Sequence, residues 1–335
     1  LETLDAVAEA GLSFVILSDS QVRGELSAVA GPYRVSLSGD RSMAVFVRND
    51  ALSNFLSFQM PAPEDASDWI NWALREEGRG NLTLIATDGE TFGHHQSQGV
   101  KVLKKLLNPG ARDSYAVTTL GRYLQDHPPT HEIEIIDNSA WSCSHQLARW
   151  LTGCACTPGC GHWKGALRRA LDNLSRDIDE VYVDVVGRQD VAPWRLRDDY
   201  IRVVMNQVSQ SQFLSQHQLG HLSARVQKQV LRLLKAQYYR QRMFVSCGFF
   251  FDDLDRIEPR YAIANAVQAM ALVYYATGED LTRAFRRDLS VTISARTGRS
   301  GAEILDEIME DADFGQGALG GDMSLQRPEI SGIRL

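Results

Sequence analysis

Leu82-Thr83-Leu84-Ile85-Ala86-Thr87-Asp88-Gly89-Glu90-Thr91-Phe92-Gly93-His94-His95 is the stretch on which the fold class turns. Leu82 to Ala86 is a short apolar run with little polar alternation, the pattern of a strand covered on both faces. Immediately after it, Asp88, Glu90, His94 and His95 bring four titratable groups together with Gly89 and Gly93. In parallel α/β folds the loops at the carboxyl ends of the strands hold the reactive groups, because the sheet aims them into a shared mouth. On that pattern 82–86 is a strand and 87–95 a functional loop, whose two glycines permit a tight turn and close backbone approach. A plainer alternative is a turn whose polar side chains only satisfy loop backbone.

Outward from this stretch, Leu12–Leu17, Met43–Val47 and Glu132–Ile136 are further short apolar runs. Helical spacing covers 1–10, with Gly11 placed to end it, and then 63–77, 97–107 and 119–126. Strands alternating with helices predict a parallel sheet with crossover connections, either an α/β barrel or an open sheet. Beyond about residue 137 long helical patterns take over. Val226, Val230, Leu233, Leu234 and Tyr238 form one apolar stripe, and Ile263, Val267, Met270 and Tyr274 form another. From Ala312 the glycines at 315, 317, 320 and 321 suggest a loose tail. The expected organisation is an α/β part over 1–136, a helical part over 137–311 and a tail over 312–335, with no internal repeat.

Composition narrows the function classes. The 335 residues are 44% apolar and 23% charged, ordinary globular usage. Lys and Arg number 35 against 42 Asp and Glu, a net charge of −7 that argues against nucleic acid as the partner. Tyr261–Gly278 is uncharged but holds Asn265 and Gln268 and is rich in Ala, so it reads as a buried core helix and not as a membrane span. The first residue is Leu1 and not Met, so the chain reads as cut from something longer, with any targeting segment upstream.

Asp88 to His95 resembles the fourth signature region of glycoside hydrolase family 57, in which the Asp opening an Asp-x-Glu-x-Phe-Gly motif is the general acid/base. Asn138–His145, Cys154-Ala155-Cys156, Trp163–Arg168, Trp194 with Arg197–Tyr200, and Ser246–Asp252 are similar to the helical domain of unknown function 3536, which typically follows a family 57 type catalytic region. The resemblance covers about residues 1–290. It implies the later part of an incomplete (β/α)7 barrel followed by an all-helical domain. The implied activity is that of a retaining α-glucan hydrolase or 4-α-glucanotransferase, with Asp88 as acid/base. Such chemistry needs a second carboxylate only ~5 Å away to attack the anomeric carbon. In the family that nucleophile is a Glu in a Pro-Glu motif just before a helix like 1–10, which places it upstream of Leu1. Without it the chain alone is expected to be inactive or nearly so. Asp19, at the end of a neighbouring apolar run, is a remote substitute, and Asp19-Ser20 departs from the Pro followed by His or an aromatic that the family more often has before Gln21.

Sugar sites need flat aromatic faces and hydroxyl-binding groups. Glu90, His94, His95, Trp141, His145 and Phe249 are the substrate-binding candidates, with Trp163 as a further aromatic, each weighed against plain core packing. The Arg195, Arg197, Asp198 and Asp199 cluster reads as a solvated helix face. Neither a cofactor nor an active-site metal is expected. The implied partner is an α-glucan or oligosaccharide, and the implied location cytoplasmic. Cys143, Cys154, Cys156 and Cys160 crowd one stretch with His145 and His162. A structural metal site, a disulfide and reduced packed thiols all stay open, since Cys-x-Cys is tighter than usual zinc spacing. Two other classes remain: a non-catalytic glucan-binding or regulatory protein on the same fold, and a deacetylase-like hydrolase holding a metal through Asp88, His94 and His95.

Overall fold

Met43–Val47 lies at the centre of the first sheet. The computed structural model describes residues 1–26, 31–76, 81–110, 114–156 and 161–311, so Cys160 and the expected tail lie outside the described residues. Two compact units emerge, Leu1–Gln146 and Leu147–Leu335. In the first, helix Glu2–Glu9 (α1) leads into strand Phe14–Ser18 (β1), followed by Val22–Arg23 (β2), Tyr33–Ser36 (β3) and Ser42–Arg48 (β4). β4 is the middle strand, parallel to β1 and antiparallel to β3. Met43, Val45 and Val47 pack with Leu4, Tyr33, Val35 and Ile133. Phe46, on the alternate face, meets Phe14 edge to face at 5.3 Å. β4, buried on both faces, therefore carries the near-continuous apolar run that such a strand requires. Glu134–Ile135 (β5) pairs with β2 as a separate antiparallel ribbon.

Two expectations are corrected. The sheet is mixed and not all-parallel, because β3 escaped notice: Arg34 and Ser36 alternate with buried Tyr33 and Val35 over too short a span to stand out. Leu82–Ala86 is not a ladder strand but a half-buried segment outside any regular element. Isolated hydrogen bonds hold it, among them Asn49 N–H to the Leu84 carbonyl at 2.7 Å and Ala86 N–H to Ser53 Oγ at 3.1 Å. Helix Asp50–Phe58 (α2) was also not foreseen; it begins directly after β4, where the Asn49 side chain accepts from Leu52 N–H at 3.0 Å. The expected helices appear as Ala66–Glu76 (α3), Gly99–Leu107 (α4) and Leu120–Asp126 (α5), and α1 runs up to Gly11 at φ +81°. α2, α3 and α4 share a smaller core of Leu56, Ala66, Ile70, Val102 and Leu106.

The second unit is helical, with no named strand among its described residues: Ala148–Leu151 (α6), His162–Gly187 (α7), Pro193–Asp199 (α8), Ile201–Val204 (α9), Gln210–Gln216 (α10), Ala224–Arg242 (α11), Cys247–Phe250 (α12), Ile257–Thr277 (α13), Thr282–Leu289 (α14) and Gly301–Asp311 (α15). Leu167, Leu171, Leu174 and Ile178 of α7 recur at helical spacing and meet Val230, Leu233 and Leu234 of α11 and Ile263, Val267 and Met270 of α13 in one core. Tyr274 departs from its stripe and is exposed near the end of α13. No helix among the described residues is long and apolar enough to cross a membrane. In the 195–199 cluster Arg197 pairs with Asp198 at 2.8 Å and covers the Trp194 ring at 4.8 Å.

Gly301 is a packing constraint, since a Cβ there would lie 2.1 Å from Thr292 Oγ1, which itself donates to the Leu289 carbonyl at 2.7 Å. Gly301→Ala is expected to destabilise the second unit by about 1–3 kcal/mol in denaturant titration. His217 stands 3.5 Å from Asp199, and burial pushes its pKa below the ordinary value against the opposing pull of that carboxylate. A depressed folded-state value means the unfolded chain takes the proton first, so stability is full above about pH 6.5 and lost as the pH falls. Melting temperatures on either side of that pH should separate less in His217→Asn than in the parent.

Candidate active site

The carboxyl ends of β1, β4 and the 82–86 segment are tied together by one charged group. Arg48, last residue of β4 and 6% exposed, donates from Nε to Asp50 Oδ1 at 2.5 Å and from Nη1 to the Ala86 carbonyl at 3.1 Å. Asp50 Oδ2 in turn accepts from Ser18 Oγ, at the end of β1, at 2.6 Å. The Ala86 backbone is thus held at both of its polar groups, its N–H by Ser53 and its carbonyl by Arg48. Pattern reasoning missed Ser18, Arg48 and Asp50. The available signal was Arg48 itself, a lone cation closing the apolar run Met43–Val47.

Two residues past that clamp stands Asp88, with an exposed carboxylate. No hydrogen bond or ion pair engages that carboxylate among the described residues. Asp88 opens a single 3₁₀ turn, Gly89–Thr91, and its backbone carbonyl accepts from Thr91 N–H at 3.1 Å. Glu90 holds the turn through its own carbonyl, which accepts from His95 N–H at 2.9 Å, while its side chain is exposed. His94 and His95 are exposed with ring centroids 4.9 Å apart. Gly93 adopts φ +109°, the left-handed region expected of it; Gly89 does not, and space around it is open. The close approach falls instead at Gly99, where a Cβ would stand 2.9 Å from Phe92 Cα.

Trp141 joins this region through Arg48, whose guanidinium lies 4.3 Å from the indole centroid. The indole is 47% exposed, so a cation backs it on one side and solvent reaches it as well. Phe249 does not belong here. It is 1% exposed within the core of the second unit, with no ring face for a pyranose, which corrects its assignment as a sugar contact. Trp163 is buried too, and its indole N–H donates to the Asp252 carbonyl at 3.3 Å. His145 is exposed, with Nδ1 4.0 Å from Cys143 Sγ. A cavity of about 680 Å³ in the first unit opens against Arg23, Gly24, Glu132 and Glu134 and not against Asp88.

Residues 2–136 match the glycosyl hydrolase family 57 sequence model, and residues 161–327 match that of the domain of unknown function DUF3536. The chain is a glycoside hydrolase family 57-like protein carrying that domain. A search of curated proteins finds no match. Among solved structures the chain is similar to an exo-type maltose-forming amylase from Pyrococcus sp. ST04, at 15% sequence identity and a TM-score of 0.64. The alignment covers 88% of this chain and 60% of the amylase, a likeness of fold over part of that enzyme's length.

Gly99→Ala is expected to force the Phe92–Gly93 backbone outward, because neither Phe92 Cα nor Gly93 N is a flexible end that can yield. A loss of about 1–3 kcal/mol in chemical unfolding, with altered backbone resonances confined to 88–100, would register the displacement.

Proposed function

We propose that the chain supplies the acid/base side of a retaining hydrolase or 4-α-glucanotransferase acting on α-glucans. Its α/β unit would be the later part of an incomplete (β/α)7 barrel. The observation that carries this is the exposed Asp88 carboxylate, free of protein partners among the described residues, on a turn anchored to the strand ends within the matched family 57 region. A general acid must reach the leaving oxygen of its substrate, and a carboxylate spent on an internal ion pair could not.

In the proposed reaction the attacking Glu, expected from sequence ahead of Leu1, forms a glycosyl-enzyme bond at the anomeric carbon as the Asp88 proton passes to the departing glycosidic oxygen. Asp88, now ionised, then takes a proton from water or from an acceptor hydroxyl, whose oxygen displaces the Glu and restores both carboxyl groups. Arg48 and Asp50 fix where the turn begins. Trp141 offers a flat apolar surface to a pyranose ring, and Glu90, His94 and His95 surround the same turn with groups able to bind sugar hydroxyls.

In the full-length protein, Asp88→Asn should lower turnover of a maltooligosaccharide at least about a hundredfold with the melting temperature unchanged. Trp141→Ala should raise KM about tenfold, ~1.4 kcal/mol of binding, with a smaller effect on kcat. Unchanged turnover in Asp88→Asn would remove it from the mechanism. Glucan binding by the parent without any turnover would favour a non-catalytic glucan-binding protein.

A further inference from the structure

Helix α11 of the second unit carries Arg225, Lys228, Arg232, Lys235, Arg240 and Arg242 and no acid in its 19 residues. All of these except Arg240 share one face. Arg225 and Arg232 form one row, and Lys228, Lys235 and Arg242 a second, each repeating at seven residues on the side opposite Val230, Leu233, Leu234 and Gln237. At ~1.5 Å of rise per residue the rows extend over about 25 Å. Leu231 and Tyr238, also seven residues apart and half-buried, border the second row.

Stability does not call for this arrangement. Arg225/Lys228, Lys228/Arg232 and Arg232/Lys235 are three or four residues apart, the helical spacing at which like charges repel. Arg225 also stands in the first turn, at the positive end of the helix dipole. Among the described residues only Arg240 of this helix reaches a carboxylate, that of Asp179 at 2.5 Å. Arg232 donates to the Tyr275 carbonyl at 2.6 Å, and Arg242 donates to the Tyr238 hydroxyl at 2.9 Å with its guanidinium 5.5 Å from the Tyr261 ring. No hydrogen bond or ion pair engages the side chains of Arg225, Lys228 or Lys235 among the described residues. Burial pushes the Lys235 amine below its ordinary pKa, and no carboxylate offsets it. The neighbouring α13 is uncharged from Tyr261 to its end at Thr277. Elsewhere in the unit exposed arginines are met by acids, Arg188 by Asp184 at 2.5 Å and Arg286 by Asp306 at 2.7 Å.

We infer that this face of α11 is a docking surface for an acidic amphipathic helix of a partner protein. A seven-residue repeat is the seam along which a second helix packs, so carboxylates carried at the same repeat meet both rows of cations. Apolar side chains flanking those carboxylates then rest on Leu231 and Tyr238, as when an amphipathic helix lies in a groove. A single-stranded nucleic acid fits less well, because its bases need open ring faces and Arg242 already covers Tyr238 and Tyr261. A membrane surface fits less well too, since it takes up protruding apolar side chains, whereas Leu231 and Tyr238 pack against the core.

The surface is tested on the full chain with a synthetic three-heptad peptide that bears Glu at the first and fourth positions of each heptad and Leu at the seventh. The expected result is binding at least about tenfold tighter than that of a scrambled peptide of the same composition, weakening as salt rises from about 50 to about 300 mM. Arg225→Glu/Lys228→Glu, a change at two exposed positions, should lose at least about tenfold in affinity. Arg188→Glu, at an exposed arginine of α7 away from the stripe, should bind like the parent. Absence of peptide binding overturns the surface. So does equal binding of the scrambled peptide, equal binding by the double variant, or tighter binding of a single-stranded RNA or of phosphatidylglycerol vesicles. The contrast between the two peptides on the parent decides the matter even if the double variant fails to fold.

Discussion

The Arg48 guanidinium holds the first unit's working end in register. A buried cation is tolerated only when its donors are used, and Arg48 spends them on Asp50, on the Ala86 carbonyl and on the face of Trp141. Asp50 is similarly occupied by Arg48 and Ser18. Two strand ends, a helix start and the segment before Asp88 therefore share one ion pair. Removing either partner would strand an uncompensated charge in a buried place, a much larger loss than the modest net value of the intact pair. The segment 82–86 needs this fastening because it has no ladder of its own. A ladder strand is aimed by its neighbours' backbones, whereas this segment has one backbone bond, from Asn49 N–H to the Leu84 carbonyl, and is otherwise aimed by the side chains of Arg48 and Ser53.

That substitution of side chains for ladder explains where the sequence was legible and where it was not. The run Met43–Val47 announced a strand because burial on both faces demands apolar residues at every position. Leu82–Ala86 carries the same signature, yet periodicity reports burial and not hydrogen-bond partners, so the two could not be told apart. Asp88 and its turn were visible because titratable residues beside Gly93 form a local pattern. Ser18 and Asp50 were not, since their meeting is set by pairing between β1 and β4, a tertiary fact with no local trace. Phe249 shows the opposite failure: an aromatic within a family motif reads as a sugar platform, and only its burial reveals a packing residue.

The helical unit was easier to read because its stripes recur at one spacing over long spans. Val230, Leu233 and Leu234 lie buried where their spacing puts them. Gly153 and Gly301 were silent in the sequence, since a close approach between distant backbones leaves no mark on residue type beyond the glycine itself.

α13 bears on how the second unit comes apart. From Ala262 to Val273 it is buried on nearly every side, and its one buried amide, Asn265, is satisfied within the helix by the Tyr261 carbonyl at 2.7 Å. An element wrapped this completely has no solvated face on which to fray, so it cannot peel away while α7 and α11 stay put. Protease nicking and amide exchange in that region should accordingly be all-or-none events of the whole helical block, and breathing should be confined to its short outer helices.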